Sequence, residues 1–552
     1  MVNQIPALTG IRFIAAAAVA VSHGGRLFLE GTSLTLDISI GTLGLFGMSV
    51  FFTLSGFVIQ YNYGTSIADS PRKAIPQFLV ARIARIYPLF VVLFLVELLT
   101  GPMVWPWLLG TPRAAEGFSS HIVPFQLGMI QTWFFTDVAG VAPVWQYEPI
   151  GIVSWSVSTE WFFYLAFPIV CPLLARIRTV PVAILCAIGA VAIELGLDVA
   201  VLMLQSWINL FALHAYGTEA ALPNWKNSLI LWIVYFAPFC RVWEFVLGCC
   251  LAKLHELWLA RDFRPPRALL DTAALIGVVA MAWVFWFTAH KPPFGASMSL
   301  FDTARNNIEL AAPVALILIA AAQPASSAGR LLSARWLVFL GEASFALYLV
   351  HLIIYQRFPV VRWETGSELF GHLAALALAF TLATCIAILL HFGFEVPARR
   401  LIRGCFQAAS PKQRGQLVRR GGVGFVTLIV AAATYALRAA TRDAVTQPGI
   451  SVVAGTYGGN CRWVSARGNA TRALAAACGG QDECTFKVSM EQLGDPAPGC
   501  AKEFMAAWVC RGDRAIRSST VLDERGIVST LQLSCNRLST PNDTRPKHRP
   551  GP

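Results

Sequence analysis

The sequence predicts a polytopic α-helical membrane bundle followed by a small, disulfide-rich α/β domain. Hydrophobic residues make up 56% of the 552 residues and charged residues only 13%, with a mean hydropathy of +0.59. Charged residues make up about 25% of an ordinary soluble domain, so a disordered chain, a coiled coil and a single soluble globule are excluded. Apolar runs long enough to cross a bilayer recur along the chain. Six of the 13 cysteines follow the last of these runs.

Eleven apolar runs have the length that a hydrocarbon layer of ~30 Å requires. They lie at 8–25, 42–61, 86–104, 152–174, 181–203, 228–252, 268–289, 305–323, 336–356, 368–391 and 422–440. The apolar segment 121–136 is too short to span fully. We interpret it as a re-entrant or interfacial piece on the non-cytoplasmic side. No cleavable signal pattern is recognisable before the first run, which is therefore predicted to be retained as a helix.

The basic residues orient the predicted bundle. With a cytoplasmic N-terminus, nineteen Lys and Arg residues fall in cytoplasmic loops and six in the opposite loops. Cytoplasmic loops collect positive charge, so this orientation is predicted. It also accounts for the net charge of +12. No nucleic-acid-binding motif accompanies that charge, and no nucleic-acid partner is expected.

The chain is predicted to divide into four parts. Residues 1–405 form a membrane domain, 406–441 a basic linker with the eleventh span, 442–537 a disulfide-rich domain, and 538–552 a disordered tail. An even set of cysteines in a small extracytoplasmic domain indicates a disulfide framework with fifteen possible pairings. The six cysteines of this set are Cys461, Cys478, Cys484, Cys500, Cys510 and Cys535.

Two pairs of ionisable residues near the start of the bundle are candidates for ligand binding. Arg12 and His23 are eleven residues apart in the first run, so they share one helix face. A cation suits a phosphate-bearing ligand and an imidazole suits proton transfer. The alternatives are a snorkelling arginine and an interfacial histidine. Arg82 and Arg85, one turn apart, either clamp an anion or anchor the helix at the cytoplasmic face.

Acidic residues inside later runs form a second group of candidates. Glu160 lies among aromatic residues in WSVSTEWFFYL, and a buried carboxylate needs a partner. Glu244 in RVWEFVLG is a candidate substrate contact, and the alternative is a structural ion pair with Arg241, three residues earlier. In the ninth run, a stripe at helical spacing is typical of a cavity lining. Its members are Glu342, Ser344, Tyr348 and His351, of which the last two are candidate substrate contacts.

Seven segments follow one another in the order and spacing of a known family. They read ALTGIRFIAAAAVAVSH, GMSVFFTLSGFVI, ARIARIYPLF, WSVSTEWFFYLAFP, RVWEFVLG, FLGEASFALYLVH and FEVPARR. Over about residues 5–405 they resemble acyltransferase family 3, the integral-membrane O-acyltransferases that modify sugars of cell-surface polysaccharides. The resemblance implies a ten-helix bundle in a bacterial inner membrane. It implies transfer of an acyl group, usually acetyl, from cytoplasmic acetyl-CoA to a hydroxyl of an extracytoplasmic glycan.

The resemblance also implies roles for individual residues. The family's arginine-x10-histidine pattern falls on Arg12 and His23, its RxxR pattern on Arg82 and Arg85, and its first acidic residue on Glu160. We therefore expect His23 and Glu160 to be catalytic and the three arginines to bind the acyl-CoA, with no metal. A hydroxyl oxygen is a poor nucleophile and needs a positioned base, which histidine can supply near neutral pH. A covalent acyl-enzyme through His23 or Ser55 remains an alternative.

The tail resembles a second family. ISVVAGTYGGNC, ACGGQDECTF and GDPAPGCAKEFMAAWVC are similar to the rhamnose/galactoside-binding lectin domain, over about residues 448–535. The family's motif residues fall on Tyr457, Gly458, Asp495 and Lys502. The resemblance implies a small α/β domain held by disulfides that orients the glycan acceptor. The alternatives are a disulfide-stapled domain that only packs on the enzyme, or, for the whole chain, a glycan transporter, a flippase or an inactive glycan receptor.

Overall fold

The chain divides into two compact units near residue 435. The computed structural model describes residues 5–28, 34–100, 123–135, 151–216, 221, 228–290, 304, 307–357, 368–407, 449–458, 470–494, 502–510, 516–523 and 529–535. The predicted eleventh span at 422–440 and the tail at 538–552 lie outside the described residues.

The membrane unit consists of helices joined by turns and short irregular segments in its described ranges. Its first helices are α1 (Pro6–Phe28), α2 (Leu34–Asp69), α3 (Pro71–Thr100), α4 (Val123–Leu127), α5 (Gly151–Ala175), α6 (Val180–Met203), α7 (Gln205–Tyr216) and α8 (Leu229–Leu231). A π-helical turn (Trp232–Phe236) leads into α9 (Pro238–Ala260), followed by α10 (Arg267–His290), α11 (Ile308–Ala321) and α12 (Ser327–Leu332). The last are α13 (Arg335–Glu342), α14 (Ser344–Arg357), α15 (Glu368–Leu390), a second π-helical turn (His391–Glu395) and α16 (Val396–Gln407).

Eight helical stretches in the described residues are long and apolar enough to cross a membrane. The pair α13 and α14, bent by 65°, provides a ninth, and the shorter apolar helix Glu309–Ala321 covers the predicted eighth run. Ten of the eleven predicted runs are therefore helical over most of their described residues, which confirms the predicted polytopic α-helical membrane bundle.

The ninth run was expected to be one continuous helix, and that prediction is wrong. The helix breaks between Glu342 and Ser344, because α13 packs along α1 through the buried Leu337 and Gly341 and sets off in another direction from α14. Glu342 is exposed and therefore leaves the predicted polar stripe, whereas Ser344 stays buried.

The two-helix contact between α2 and α9 depends on glycine. A methyl group added at Gly56 would lie 1.9 Å from the carbonyl oxygen of Phe245, and one added at Gly248 would lie 1.8 Å from that of Thr53. Small residues let membrane helices approach backbone to backbone. This contact fixes α2, which carries much of the cavity described below.

The segment predicted to be re-entrant or interfacial contains only the five-residue α4 and turns within 123–135. It packs on the first turns of α5 through polar contacts. Gln131 donates to the Ser154 carbonyl at 2.9 Å, and Thr132 Oγ1 lies 2.9 Å from Ser158 Oγ. Irregular backbone at membrane depth is tolerated where protein satisfies its polar groups. The two buried serines of α5 supply partners of this kind.

The C-terminal unit is a small α/β domain. Its elements are β1 (Ile450–Tyr457), α17 (Thr471–Cys478), β2 (Glu483–Val488), α18 (Met490–Leu493), β3 (Lys502–Cys510), β4 (Ile516–Asp523) and β5 (Ser529–Ser534). The strands form an antiparallel sheet in the order β1-β3-β4 and an antiparallel pair β2-β5. The buried face of alternate residues on β2 contributes Phe486 and Val488 to the core.

Two disulfides hold this unit together, as the cysteine count predicts. Cys478 pairs with Cys484 and Cys510 with Cys535, with Cα atoms 5.3 and 5.4 Å apart. The first closes α17 against β2 and the second ties the end of β3 to the end of β5. Cys461 and Cys500 lie outside the described residues.

Candidate active site

An open cavity lies among α1, α2, α3, α5 and α14. Its lining side chains are Arg12, Met48, Phe51, Phe52, Leu54, Ser55, Val58, Ile59, Arg82, Arg85, Ser156, Val157, Glu160, Ser344, Phe345 and Tyr348. The lining combines three guanidinium groups and one carboxylate with a majority of apolar side chains. Its charged groups therefore carry an excess of two positive charges, which suits an anionic ligand with an apolar arm.

The three arginines come from two helices. Arg82 and Arg85 lie one turn apart on α3, and both act electrostatically on Arg12 of α1. Arg82 donates from Nη2 to the hydroxyl of Tyr63 at 3.0 Å, and its guanidinium carbon lies 5.0 Å from the centre of that ring. The buried Nε–H of Arg82 has no hydrogen-bond partner among the described residues. Like charges brought together in this way repel one another, which favours the binding of an anion beside them.

Glu160 is the carboxylate of this cluster. It accepts hydrogen bonds from the hydroxyls of Ser55, at 3.2 Å, and Tyr164. It also acts electrostatically on Arg12 and Arg82. The prediction that a carboxylate at this position has polar partners is confirmed. These contacts place Glu160 at the arginine end of the cavity.

Tyr348 lies at the other side of the lining. Its hydroxyl is 2.6 Å from Ser156 Oγ and donates to the carbonyl of Val153 at 3.0 Å, which fixes the ring against α5. Its ring centre is 6.1 Å from that of His351, one turn further along α14. Tyr348 therefore connects the cavity lining with the histidine pair.

His23 and His351 form a hydrogen-bonded pair. Nδ1 of His23 lies 2.8 Å from Nε2 of His351, and the ring planes differ by 11° with their centres 5.1 Å apart, so the two rings meet edge to edge through these nitrogens. Nδ1 of the fully buried His351 lies 3.1 Å from the carbonyl oxygen of Leu347, which can only accept. With both rings neutral, His351 therefore carries its hydrogen on Nδ1, and His23 donates from Nδ1 to His351. The lone pair of His23 is then on Nε2, in the form that a general base requires.

The structure thus brings most of the predicted site residues into two adjoining groups. One is the cavity with Arg12, Arg82, Arg85, Glu160 and Tyr348; the other is the pair formed by His23 with His351. Neither histidine is among the cavity-lining residues within the described part of the chain.

Glu244 lies outside both groups. It forms an ion pair with Arg241 at 2.8 Å, and both side chains are fully buried. This is the arrangement that the structural alternative predicts. The assignment of Glu244 as a substrate contact stays a prediction, and in the described structure the residue is not part of the cavity lining.

Three further ionisable residues were not singled out from the sequence. Arg399 of FEVPARR is close enough to Arg82 and Arg85 for the three positive charges to repel one another. It also forms an ion pair with Glu395 at 4.0 Å. Glu194 and Asp198, spaced i, i+4 in α6, are 1% and 2% exposed. The sequence could have indicated Glu194 and Asp198, because an acidic residue within an apolar run indicates a functional site by default.

The predicted sugar-contacting residues of the C-terminal unit are mostly internal where they are described. Tyr457 is fully buried and Lys502 is 3% exposed. Gly458 follows β1 with a φ of +74°, and Asp495 lies outside the described residues. Tyr457 and Lys502 therefore belong to the core of the domain, and sugar binding by this unit stays a prediction.

The chain belongs to acyltransferase family 3. The family model Acyl_transf_3, described as an acyltransferase domain, matches residues 5–392. That range contains all the cavity-lining residues and both histidines. The protein is thus an integral-membrane O-acyltransferase.

Curated relatives are also acyltransferases. Acyltransferase MdmB of Streptomyces mycarofaciens is 32% identical over 423 residues, which cover 73% of this chain and 93% of that protein. Peptidoglycan O-acetyltransferase OatA of Listeria monocytogenes is 24% identical over 72% of this chain, and O-acetyltransferase OatA of Staphylococcus aureus 22% over 76%. The chain spans only 56% and 60% of the lengths of those two proteins. No solved structure matches the chain.

Proposed function

We propose that this enzyme transfers an acetyl group from acetyl-CoA, bound from the cytoplasm, to a hydroxyl of an extracytoplasmic glycan. The observation that carries the proposal is the adjacency of two groups: a cavity whose charged residues are mainly arginines, and a histidine pair in the tautomer of a general base. Tyr348 contacts both.

The cavity fits the donor in charge and in polarity. Guanidinium groups bind phosphate through paired, charge-assisted hydrogen bonds, and Arg12, Arg82 and Arg85 supply them. The apolar lining, including Phe52 and Phe345, suits the thioester arm of coenzyme A. In this proposal the phosphates lie at the arginine end, and the arm extends along α14 towards the histidines.

The transfer step balances without a further reagent. Nε2 of His23 takes the proton of the acceptor hydroxyl while its oxygen forms a bond to the thioester carbonyl carbon. The carbon–sulfur bond then breaks, and the thiolate takes the proton back from His23, so the products are an ester and free coenzyme A. His351 acts as a positioning residue, because its Nε2 holds the Nδ1–H of His23.

Glu160 has a different role in this scheme from the catalytic one that the resemblance implies. Its hydrogen bonds go to Ser55 and Tyr164. We propose that its negative charge holds the guanidinium groups of Arg12 and Arg82 in position, and that its hydrogen bond keeps the Ser55 hydroxyl turned away from the thioester. The direct transfer from His23 is therefore favoured over a covalent intermediate on Ser55.

The acceptor and the membrane orientation are the remaining parts of the proposal. Two relatives are named as O-acetyltransferases and one of them as a peptidoglycan O-acetyltransferase, which supports a glycan; the name of the Streptomyces relative specifies no acceptor. The excess of basic residues on one side supports a cytoplasmic N-terminus. A bacterial inner membrane, with the C-terminal unit outside and orienting the glycan, completes the proposal.

The test uses the full chain in proteoliposomes of known orientation. Labelled acetyl-CoA is supplied on one side and a cell-envelope glycan on the other, and label on the glycan is measured. Transfer that requires donor on the N-terminal side and acceptor on the opposite side is expected. If no label appears on the glycan with any donor or orientation, the proposal is contradicted, and a transporter, a flippase or an inactive glycan receptor is favoured.

A further inference from the structure

A second polar cluster is buried between α6 and α9, apart from the residues used in the proposed transfer. Glu194 and Asp198 of α6 face Arg241 and Glu244 of α9. All four side chains are at most 2% exposed. The cluster thus combines three carboxyl groups with one guanidinium in the apolar interior of the bundle.

Two of the three carboxyl groups have a partner that stabilises a charge. Glu244 lies 2.8 Å from Nε of Arg241. Asp198 accepts a hydrogen bond from the side-chain amide of Asn307 at 3.2 Å. Both oxygens of Glu194 are buried and have no hydrogen-bond partner within the described part of the chain.

The electrostatic surroundings of Glu194 follow from the helices packed against α6. From α9, Glu244 and Arg241 act on it, and the thiol of Cys240 is close enough to interact. Asp198 acts on it from α6 itself. No charged group of α7 or α11 within the described ranges acts on it. The single guanidinium is thus shared among three acids.

A charge balance for this cluster requires a bound proton. Arg241 offsets one carboxylate, and a second carboxylate is partly stabilised by the Asn307 amide. A third, unpaired carboxylate in an apolar interior costs so much free energy that the group takes up a proton instead. No three acidic, histidine or cysteine side chains in the described residues converge to hold a metal ion, so the cluster fits a proton rather than a metal.

We propose that Glu194 is a proton-binding site, whose carboxyl group is held in the neutral acid form at neutral pH. Removing the proton gives a carboxylate that competes with Glu244 for Arg241. The guanidinium carbon of Arg241 lies 5.0 Å from the ring centre of Phe52, which lines the cavity. Loss of the proton would therefore shift Arg241 and, through it, the Phe52 side chain in the wall of the cavity.

Infrared spectroscopy tests the proposal without an activity assay. The full chain in lipid nanodiscs is exchanged into D₂O at neutral pH, and the carbonyl stretch of protonated carboxylic acids is recorded. The wild type is expected to show this band, and Glu194→Gln to lose the intensity of one carboxylic acid per chain. The matched control, Glu342→Gln, removes an exposed carboxylate and should leave the band unchanged.

A second variant protects the test against misfolding. Glu194→Asp keeps a carboxyl group, so the band of its protonated acid is expected at a shifted frequency. Size-exclusion chromatography should show that this variant elutes at the same volume as the wild type. The proposal is overturned if the wild type lacks the band. It is overturned equally if Glu194→Gln keeps the full intensity, or if only Asp198→Asn removes it.

Discussion

Nδ1 of His23 lies 2.8 Å from Nε2 of His351, whose own Nδ1 faces the carbonyl of Leu347. This chain of contacts joins α1 to α14 and determines which nitrogen of His23 carries the lone pair. Each hydrogen bond in this series has a fixed donor and a fixed acceptor, because the carbonyl oxygen at its end cannot donate. The base of the proposed reaction is thus prepared by a residue that lies on a different helix, more than three hundred residues away.

Replacing His351 tests the positioning role. His351→Phe keeps an aromatic ring at this buried position but removes the acceptor for the Nδ1–H of His23. We expect kcat to fall about 10- to 100-fold, the usual cost of losing an orienting partner, with the KM for acetyl-CoA unchanged. Steady-state kinetics measures this split. A raised KM with an unchanged kcat would instead make His351 a donor contact.

The arginine end of the cavity predicts a different kinetic signature. Arg82→Ala and Arg85→Ala should each raise the KM for acetyl-CoA about 10- to 100-fold, since a hydrogen bond to a charged group contributes about 1.5–3 kcal/mol. The matched control is Arg72→Ala, which removes an exposed cation of the same helix. If Arg72→Ala raises KM as much, the arginines only anchor the helix. Arg399→Ala is expected to have a smaller effect of the same kind.

Ser55 distinguishes direct transfer from a covalent intermediate. Its hydroxyl donates to Glu160 at 3.2 Å, so Ser55→Ala removes a hydrogen bond but not the proposed base. We expect activity within about 10-fold of the wild type, which corresponds to 1.4 kcal/mol. Ser66→Ala, at an exposed position of the same helix, is the control. Complete loss of transfer, with labelled acyl-enzyme absent only in Ser55→Ala, would show that Ser55 is the nucleophile.

The close contact of α2 with α9 predicts a stability effect. In Gly248→Ala the new methyl group meets the carbonyl oxygen of Thr53, and overpacking of this kind costs about 1–3 kcal/mol. Gly189→Ala is the matched control, because nothing lies within 4 Å of the added methyl group in α6. Thermal unfolding in detergent should show a lowered Tm for the first variant alone. Equal Tm values would mean that the helices do not approach this closely.

The disulfides of the C-terminal unit are expected to differ in their contribution. Cys510 and Cys535 are 25 residues apart and Cys478 and Cys484 only 6. The loop-entropy model assigns about 3.5 kcal/mol to the longer loop and about 2 kcal/mol to the shorter. Protease resistance of this unit in the full chain should therefore fall further in Cys510→Ser than in Cys478→Ser. Cys385→Ser, an exposed free cysteine, should change nothing, and the reverse order would contradict the pairing.

Sequence periodicity predicts the spans and the face on which a residue lies, and it succeeds for Arg82 and Arg85. It cannot say which helices meet, so the approach of Arg12 to Glu160 and of His23 to His351 required tertiary structure. The stripe through Glu342 failed for the same reason: a contact with α1 sets the direction of α13 and bends the chain before Ser344.

The most direct test of the account compares acetyl transfer by the wild type with that by His23→Ala. Both are assayed in oriented proteoliposomes beside His290→Ala, which removes an exposed histidine. The account predicts that His23→Ala binds acetyl-CoA as the wild type does but loses at least about 100-fold in kcat, the lower range for general-base catalysis. His290→Ala should retain full activity. Unchanged transfer by correctly inserted His23→Ala would contradict the central claim.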